Sequence, residues 1–124
     1  MTETKRKLLY VEDEKLNRML FDKIFSKKYD VYIAESGEQG LDILMDHDDI
    51  PVVVSDLKMP HMDGLEFIGI AKNKHPQIKY FILTGFDMNE DIDIALKENL
   101  IHQYFMKPCN FNEIDMAIDN AMHL

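Results

Sequence analysis

The sequence predicts a doubly wound α/β fold, in which a five-stranded parallel sheet carries five helices on its two faces. Two observations predict it. Short, unbroken apolar runs recur along the chain, as is typical of strands covered on both faces. Between them, apolar residues recur at helical spacing. Strand and helix alternate at a period of roughly 20 to 30 residues, which indicates βαβ units with right-handed crossovers.

The individual elements follow from this pattern. The predicted strands are the apolar runs at residues 8–11, 31–34, 52–54, 80–83 and 104–106. The predicted helices are marked by Leu16, Met19, Leu20 and Ile24; by Leu41, Leu44 and Met45; by Leu65, Ile68 and Ala71; by Ile92, Ala95 and Leu96; and by Ile114, Ala117, Ile118 and Ala121.

Three helices also carry a start signal, a capping residue followed three positions later by Glu or Gln. The pairs are Ser36 with Gln39, Asp63 with Glu66, and Asn110 with Glu113. The fourth helix has no clear cap in residues 88–91. Nine methionines occur in the chain, and their spacing predicts that most of them fill the core.

Length, charge and cysteine content limit the functions that this chain can have. A chain of 124 residues with 46% hydrophobic content predicts one domain over residues 1–124. The net charge of −9 argues against direct nucleic-acid binding, because affinity for a polyanion comes mainly from Lys and Arg. The polar start predicts neither a signal peptide nor a membrane span. The single cysteine, Cys109, excludes an internal disulfide and fits a cytoplasmic location.

Acidic residues follow the first and third predicted strands, which are neighbours if the sheet has the strand order 2-1-3-4-5. Glu12, Asp13 and Glu14 follow the first strand, and Asp56 ends the third. Function in doubly wound sheets lies at the carboxyl ends of the strands. Either acidic segment alone could be an ordinary loop, with Asp13 or Glu14 capping the next helix. Together they predict a site for a hard divalent cation, since clustered carboxylates otherwise repel one another.

The fourth and fifth strands add a hydroxyl and a cation. Thr84 and Gly85 end the fourth strand, and Lys107 and Pro108 end the fifth. Thr84 could be a plain strand-end hydroxyl and Lys107 a surface lysine. Facing metal-bound carboxylates, however, they would form a cradle for a phosphoryl group, whose charge is spread over three oxygens during transfer.

Four segments together resemble the receiver domain of two-component response regulators, a flavodoxin-like fold. They are residues 11–13, 55–64, 83–85 and 104–108. The resemblance extends from Lys7 to the last helix. Four motifs in the right order at the right strand ends are far more specific than any one of them.

The resemblance implies a role for each site residue. Asp56 is the expected phosphoacceptor. Glu12 and Asp13, with Asp56 and the backbone carbonyl of Lys58, are expected to hold Mg²⁺ or Mn²⁺, and Lys107 is expected to contact the phosphoryl oxygens. Glu12 departs from the family, since many members have Asp there.

The resemblance also implies roles for residues around the phosphoacceptor, in switching, in phosphate lifetime and in loop shape. Thr84 is the expected switching hydroxyl, and Tyr104 matches the aromatic residue that turns inward when that hydroxyl moves. In receivers the positions of Lys58 and Phe86 flank the path of the hydrolytic water, so the long Lys58 and the bulky Phe86 predict a slow loss of phosphate. The expected loop-shaping residues are Pro60, Gly64 and Pro108.

The implied function is that of a phosphorelay switch. A sensor histidine kinase or a histidine phosphotransfer protein would donate the phosphoryl group near Leu16 and Asn17 on the first helix. The chain would catalyse its own phosphorylation and dephosphorylation but would not be an enzyme with a separate substrate. The face of the fourth helix, fifth strand and fifth helix is the expected surface for a downstream effector domain or protein, or for a second copy in a homodimer.

Three other functions are weighed against this one. A flavodoxin needs glycine and hydroxyl groups in its first loop, where Glu12, Asp13 and Glu14 would repel a flavin phosphate. A phosphatase of the haloacid dehalogenase type needs an acid two residues after its nucleophile, where this chain has Lys58. The serious alternative is a receiver-shaped scaffold that works without phosphorylation.

Overall fold

A computed structural model describes residues 5–85 and 90–123, and it contains the predicted alternation of strands and helices. In chain order the elements are β1 (Lys7–Val11), α1 (Lys15–Phe25), β2 (Asp30–Ala34), α2 (Gly37–Asp46), β3 (Val52–Asp56), α3 (Gly64–Lys74), β4 (Lys79–Thr84), α4 (Glu90–Lys97), β5 (Gln103–Met106) and α5 (Phe111–Met122). The sheet has the order β2-β1-β3-β4-β5, and each of its neighbouring pairs is parallel. The predicted fold class is therefore confirmed.

The apolar runs are the strands because the sheet is covered on both sides. Residues 52–56 of β3 are all buried, whereas the edge strands β2 and β5 are partly exposed. Alternate residues of β1 belong to opposite core layers: Leu9 and Val11 lie in one layer, and Leu8 and Tyr10 in the other. A strand that buries both faces needs apolar side chains at every position, which explains the absence of alternation in the sequence.

The helices divide between the two faces of the sheet. The first core layer contains residues of α2, α3 and α4, among them Leu44, Phe67 and Ile92. The second contains residues of α1 and α5, among them Phe21 and Ile114. Both faces are thus covered, as the doubly wound prediction requires.

The three predicted helix caps all form. The Ser36 hydroxyl accepts the N–H of Gln39 at 3.1 Å, the Asp63 carboxylate accepts that of Glu66 at 2.9 Å, and the Asn110 side chain accepts that of Glu113 at 3.3 Å. Helix α1 differs, because Glu14 occupies its N-cap position without a capping hydrogen bond from its side chain. The prediction that the fourth helix has no clear cap in residues 88–91 concerns residues 88 and 89, which lie outside the described residues.

The prediction that most methionines fill the core is wrong for four of the seven methionines within the described residues. These four, which are exposed, are Met19, Met45, Met106 and Met116. In α1 the buried residues are Phe21 and Phe25, whose rings stack 4.2 Å apart and fill the space beneath the helix. Leu16 and Met19 consequently face outward, although their spacing correctly indicated a helix. Over residues 5–85 and 90–123, no helix has the length and apolar content needed to cross a membrane.

Candidate functional site

Three carboxylates converge at the carboxyl ends of β1 and β3. Val11 of β1 pairs with Ser55 of β3, so the residues that follow Val11 lie beside Asp56. One carboxylate oxygen from each of Glu12, Asp13 and Asp56 lies within 4.8 Å of the other two. Oxygen ligands at such spacing suit a hard divalent cation. This cluster could hold a metal ion.

Lys107 lies over the two buried members of this cluster. Its Nζ is 2.6 Å from Oδ1 of Asp56 and 3.8 Å from Oε1 of Glu12. Glu12 is 1% exposed and Asp56 is 6% exposed, whereas Asp13 is open to solvent. The site therefore combines buried acids with an accessible mouth.

Burial and mutual repulsion shift the protonation of these groups. Burial raises the pKa of Asp56, although the hydrogen bond from Lys107 opposes the shift. Burial raises the pKa of Glu12 too, and the charge of Asp56 adds to the effect. Burial lowers the pKa of Lys107, but its hydrogen bond to Asp56 and the negative charges of Asp56 and Glu12 together outweigh this and leave the pKa raised. Both carboxylates therefore resist ionisation. Added positive charge, such as that of a metal ion, would reduce the repulsion between them and favour their ionised forms.

A cleft of about 230 Å³ opens over the cluster. Its lining residues are Asp13, Glu14, Asp56, Leu57, Lys58, Gly85 and Lys107. Lys58 is exposed, lies two residues after the end of β3 and lines the opening of this cleft. A small anion entering here would meet Lys58, Lys107 and the Asp56 carboxylate.

Thr84 lies on β4, the strand beside that of Asp56, and Tyr104 lies on β5, one strand farther along the sheet. Thr84 is buried at the end of β4, next to Leu83, which pairs with Asp56. Its carbonyl accepts the backbone N–H of Lys107 at 2.7 Å. Tyr104 pairs with Ile82 in β5 and is half-buried against the core. Phe86, predicted to influence phosphate loss, lies outside the described residues.

The loop after Asp56 folds back tightly because of Gly64. The Gly64 N–H donates to the carbonyl of Leu57 at 2.8 Å, and a Cβ at Gly64 would lie 2.3 Å from the backbone oxygen of Asp56. Only glycine allows the start of α3 to approach so closely. Pro60 is exposed in the same loop, and the Lys107–Pro108 peptide bond is cis.

Two side chains that hydrogen-bond Glu12 were missed by the sequence reasoning. Oε1 of Glu12 accepts the Tyr10 hydroxyl at 3.2 Å and the Asn17 amide at 3.1 Å. Oε2 accepts the backbone N–H of Glu14 at 3.3 Å. Tyr10 lies on β1 and Glu12 directly follows it, so their spacing of two places both side chains on the same face. This spacing could have indicated the first of these contacts.

Arg18 was also missed, and it fastens the loop that carries the acids. Its Nη1 donates to the carbonyls of Glu12 and Asp13, at 3.0 and 2.8 Å. Its Nη2 lies 3.0 Å from a carboxylate oxygen of Glu35, after β2. One guanidinium thus ties the end of β1 to its neighbouring strand, and nothing in the spacing of Arg18 signals these carbonyl contacts.

Comparison with known proteins agrees with this geometry. The family model described as the response regulator receiver domain matches residues 8–119. The chain belongs to the response regulator receiver family. Sporulation initiation phosphotransferase F of Bacillus subtilis is 32% identical over 119 residues, which cover 95% of this chain and 94% of that protein.

Longer relatives and solved structures give the same assignment. The transcriptional regulatory protein GlrR of Escherichia coli is 30% identical over 115 residues, which cover 93% of this chain but only 26% of GlrR, so the chain spans about a quarter of that relative. The structure of a response regulator receiver domain protein from Clostridium thermocellum superposes with a TM-score of 0.85 at 28% identity, covering 95% of this chain and 94% of that one.

Proposed function

We propose that the chain, over residues 1–124, is the phosphoacceptor unit of a two-component phosphorelay and takes the phosphoryl group on Asp56. The observation that carries this proposal is the meeting of Glu12, Asp13, Asp56 and Lys107 at one cleft, in a chain of the receiver family. Phosphoryl transfer requires a nucleophile and positive charge near the phosphoryl oxygens. This site offers a buried carboxylate as the nucleophile, beside a lysine and a candidate metal site.

The transfer step is an in-line displacement at phosphorus. A carboxylate oxygen of Asp56 forms the new P–O bond while the bond from phosphorus to the donor nitrogen of a phosphohistidine breaks, and the released imidazole keeps the bonding electron pair. Lys107, 2.6 Å from Asp56, is placed to contact the phosphoryl oxygens. Glu12, Asp13, Asp56 and the Lys58 carbonyl would hold Mg²⁺ or Mn²⁺, which supplies positive charge against the crowded anionic oxygens.

The readout is proposed to run through Thr84 and Tyr104. A phosphoryl group on Asp56 would attract the Thr84 hydroxyl by a charge-assisted hydrogen bond. Tyr104, half-buried on the adjacent strand, would then turn into the space that Thr84 leaves. The change would reach the exposed surface of α4, β5 and α5, which presents Ile94, Met106 and Met116.

The proposed partners are proteins. A histidine kinase or histidine phosphotransfer protein would dock on α1, near the exposed Leu16 and the half-buried Asn17, whose amide donates to Glu12. An effector domain or protein, or a second copy of the chain, would use the Tyr104 face. The net charge of −9 supports protein rather than nucleic-acid partners, and the proposed location is the cytoplasm. The reaction is self-modification rather than turnover of a separate substrate.

The proposal is tested by intact mass measurement after incubation with acetyl phosphate. With Mg²⁺ the wild-type protein should gain one phosphoryl group, and with EDTA it should gain none. Neutral hydroxylamine should remove the added mass, because an acyl phosphate is an activated anhydride. No gain from acetyl phosphate or from a panel of phosphorylated histidine phosphotransfer proteins would contradict the proposal and favour a scaffold that works without phosphorylation.

The lifetime of the phosphoryl group gives a separate prediction. Lys58 borders the cleft through which the hydrolytic water must approach, and Phe86 is two residues beyond Thr84 in sequence. Phe86→Ala and Lys58→Ala should each shorten the lifetime several-fold by opening this path. The decay is measured by mass after removal of acetyl phosphate, with Glu38→Ala, on the exposed face of α2, as the control. Equal lifetimes in all four proteins would contradict the prediction.

A further inference from the structure

We propose that Tyr10 is a positioning residue, which holds the Glu12 carboxylate in the orientation needed for metal binding. The inference rests on the proposed function and extends it to a residue outside the expected site. The Tyr10 hydroxyl lies 3.2 Å from Oε1 of Glu12, and the two residues are 3% and 1% exposed. A hydrogen bond in such a dry environment persists because neither partner can exchange it for water.

The Tyr10 ring is itself immobilised, so its hydroxyl is a fixed point. The ring stacks on Phe21 of α1 with centroids 3.8 Å apart and planes only 5° from parallel. Phe21 in turn stacks on Phe25 with centroids 4.2 Å apart. Glu12 directly follows β1, and its N–H still donates to the Ala34 carbonyl of β2 at 3.0 Å, so the extended backbone continues to Glu12. Because Tyr10 and Glu12 are two residues apart along this extended backbone, their side chains leave the same face. The core layer under α1 therefore fixes where the hydroxyl points.

Glu12 needs such a fixed point more than an aspartate would. Glutamate has one more rotatable bond than aspartate, so its carboxylate has more orientations to lose before it can serve as a ligand. The contacts of Tyr10 and Asn17 converge on Oε1, while Oε2 accepts the Glu14 N–H at 3.3 Å. Since each carboxylate oxygen can accept at two positions, Oε2 keeps capacity for a cation.

Tyr10 contributes what the other side chains around Glu12 do not. Asn17 is half-buried and also lies 3.4 Å from a carboxylate oxygen of Glu14. Lys107 is 3.8 Å from Glu12 but 2.6 Å from Asp56, so it is engaged chiefly with the phosphoacceptor. Among the side chains that donate to Glu12, Tyr10 is the one whose position is determined by core packing, through its stacking on Phe21. Partners of this kind orient metal ligands in many proteins.

The test is Tyr10→Phe, which removes the hydroxyl and keeps the stacked ring. Binding of Mn²⁺ is measured from the paramagnetic resonance signal of the free ion, and Mg²⁺ by calorimetry. We expect metal affinity to fall about tenfold, the lower end of the effect of losing an outer partner. The matched control is Tyr80→Phe. Tyr80 is also a buried tyrosine, and its hydroxyl donates to the His75 carbonyl at 3.1 Å, but it lies at the opposite end of the sheet from the site.

A double-mutant cycle with Glu12→Asp separates positioning from general damage. The shorter aspartate withdraws its carboxylate from the Tyr10 hydroxyl by one bond, so Tyr10→Phe should change metal affinity less than about twofold in that background. Tyr10→Phe should leave the melting temperature of the metal-free protein close to that of Tyr80→Phe.

Three results would overturn the inference. One is a Tyr10→Phe affinity equal to that of the wild-type protein, and another is an equal loss of affinity in the Glu12→Asp background. The third is a wild-type protein that binds neither metal ion. That last result would remove the proposed metal-dependent function as well, so it is distinguishable from the first two, in which the wild-type protein binds normally.

Discussion

Asp56→Asn should lower phosphoryl acceptance from acetyl phosphate by at least about 1,000-fold, because an amide cannot supply the attacking carboxylate oxygen. The substitution preserves shape at a site that is only 6% exposed, so the fold should persist. Intact mass over a time course, with wild type beside it, measures the loss. A variant that gains a phosphoryl group at the wild-type rate would place the acceptor elsewhere.

The same substitution should raise stability at neutral pH. Burial raises the pKa of Asp56 in the folded state. A pKa that is higher in the folded state than in the unfolded state means that protonation favours folding. The stabilising contribution of Asp56 is therefore fully present below its unfolded pKa, about 4, and is lost as the pH rises through its folded pKa. The neutral amide of the variant would carry no such charge, and the loss of that charge would also relieve the repulsion that helps raise the pKa of Glu12.

The melting temperatures of the two proteins should therefore diverge as pH increases from below 4 toward neutrality, with the variant higher. Asp49→Asn is the control of opposite sign. The hydrogen bond from Lys7 lowers the pKa of Asp49, so this carboxylate stabilises the folded state above its unfolded pKa. Its removal should slightly lower the melting temperature at neutral pH. A variant of Asp56 that melts below wild type at pH 7 would contradict the argument.

The fold was predictable from sequence because its signals are local and repeated. Buried parallel strands require continuous apolar runs, and the helices between them carry caps such as Ser36 and Asp63 that form as predicted. The side of a helix that is buried was harder to predict. In α1 the apolar residues wrap around much of the helix, and the choice between Leu16 and Phe21 depends on which side chain fits against Tyr10.

The site was predictable to the extent that its residues stand at strand ends. Glu12, Asp13 and Asp56 meet because β1 and β3 are neighbours in the sheet, an order that belongs to the receiver fold rather than to the apolar pattern itself. The supporting contacts were not predictable in the same way. Arg18 binds two backbone carbonyls, and no residue type at those positions signals a carbonyl partner. The pocket also depends on how closely α3 approaches Asp56, a distance that only coordinates reveal.

Gly64→Ala should destabilise the protein by about 3 kcal/mol, since overpacking a rigid site costs about 1 to 3 kcal/mol and sometimes more. The added Cβ would lie 2.3 Å from the backbone oxygen of Asp56 and 2.9 Å from Cδ1 of Ile82. Backbone cannot yield as a flexible side chain does, so either the start of α3 or the end of β3 must move. Urea unfolding measures the change.

Gly69→Ala in the same helix is the matched control, and its effect should have the opposite sign. Gly69 is exposed within α3, and a Cβ there would meet nothing within 4 Å. Alanine in an open helix interior is favoured over glycine by about 0.5–1 kcal/mol. Because Gly64 abuts the phosphoacceptor itself, Gly64→Ala should also slow phosphoryl acceptance, whereas Gly69→Ala should not. Equal stability changes in the two variants would mean that the close approach of α3 to Asp56 is not needed.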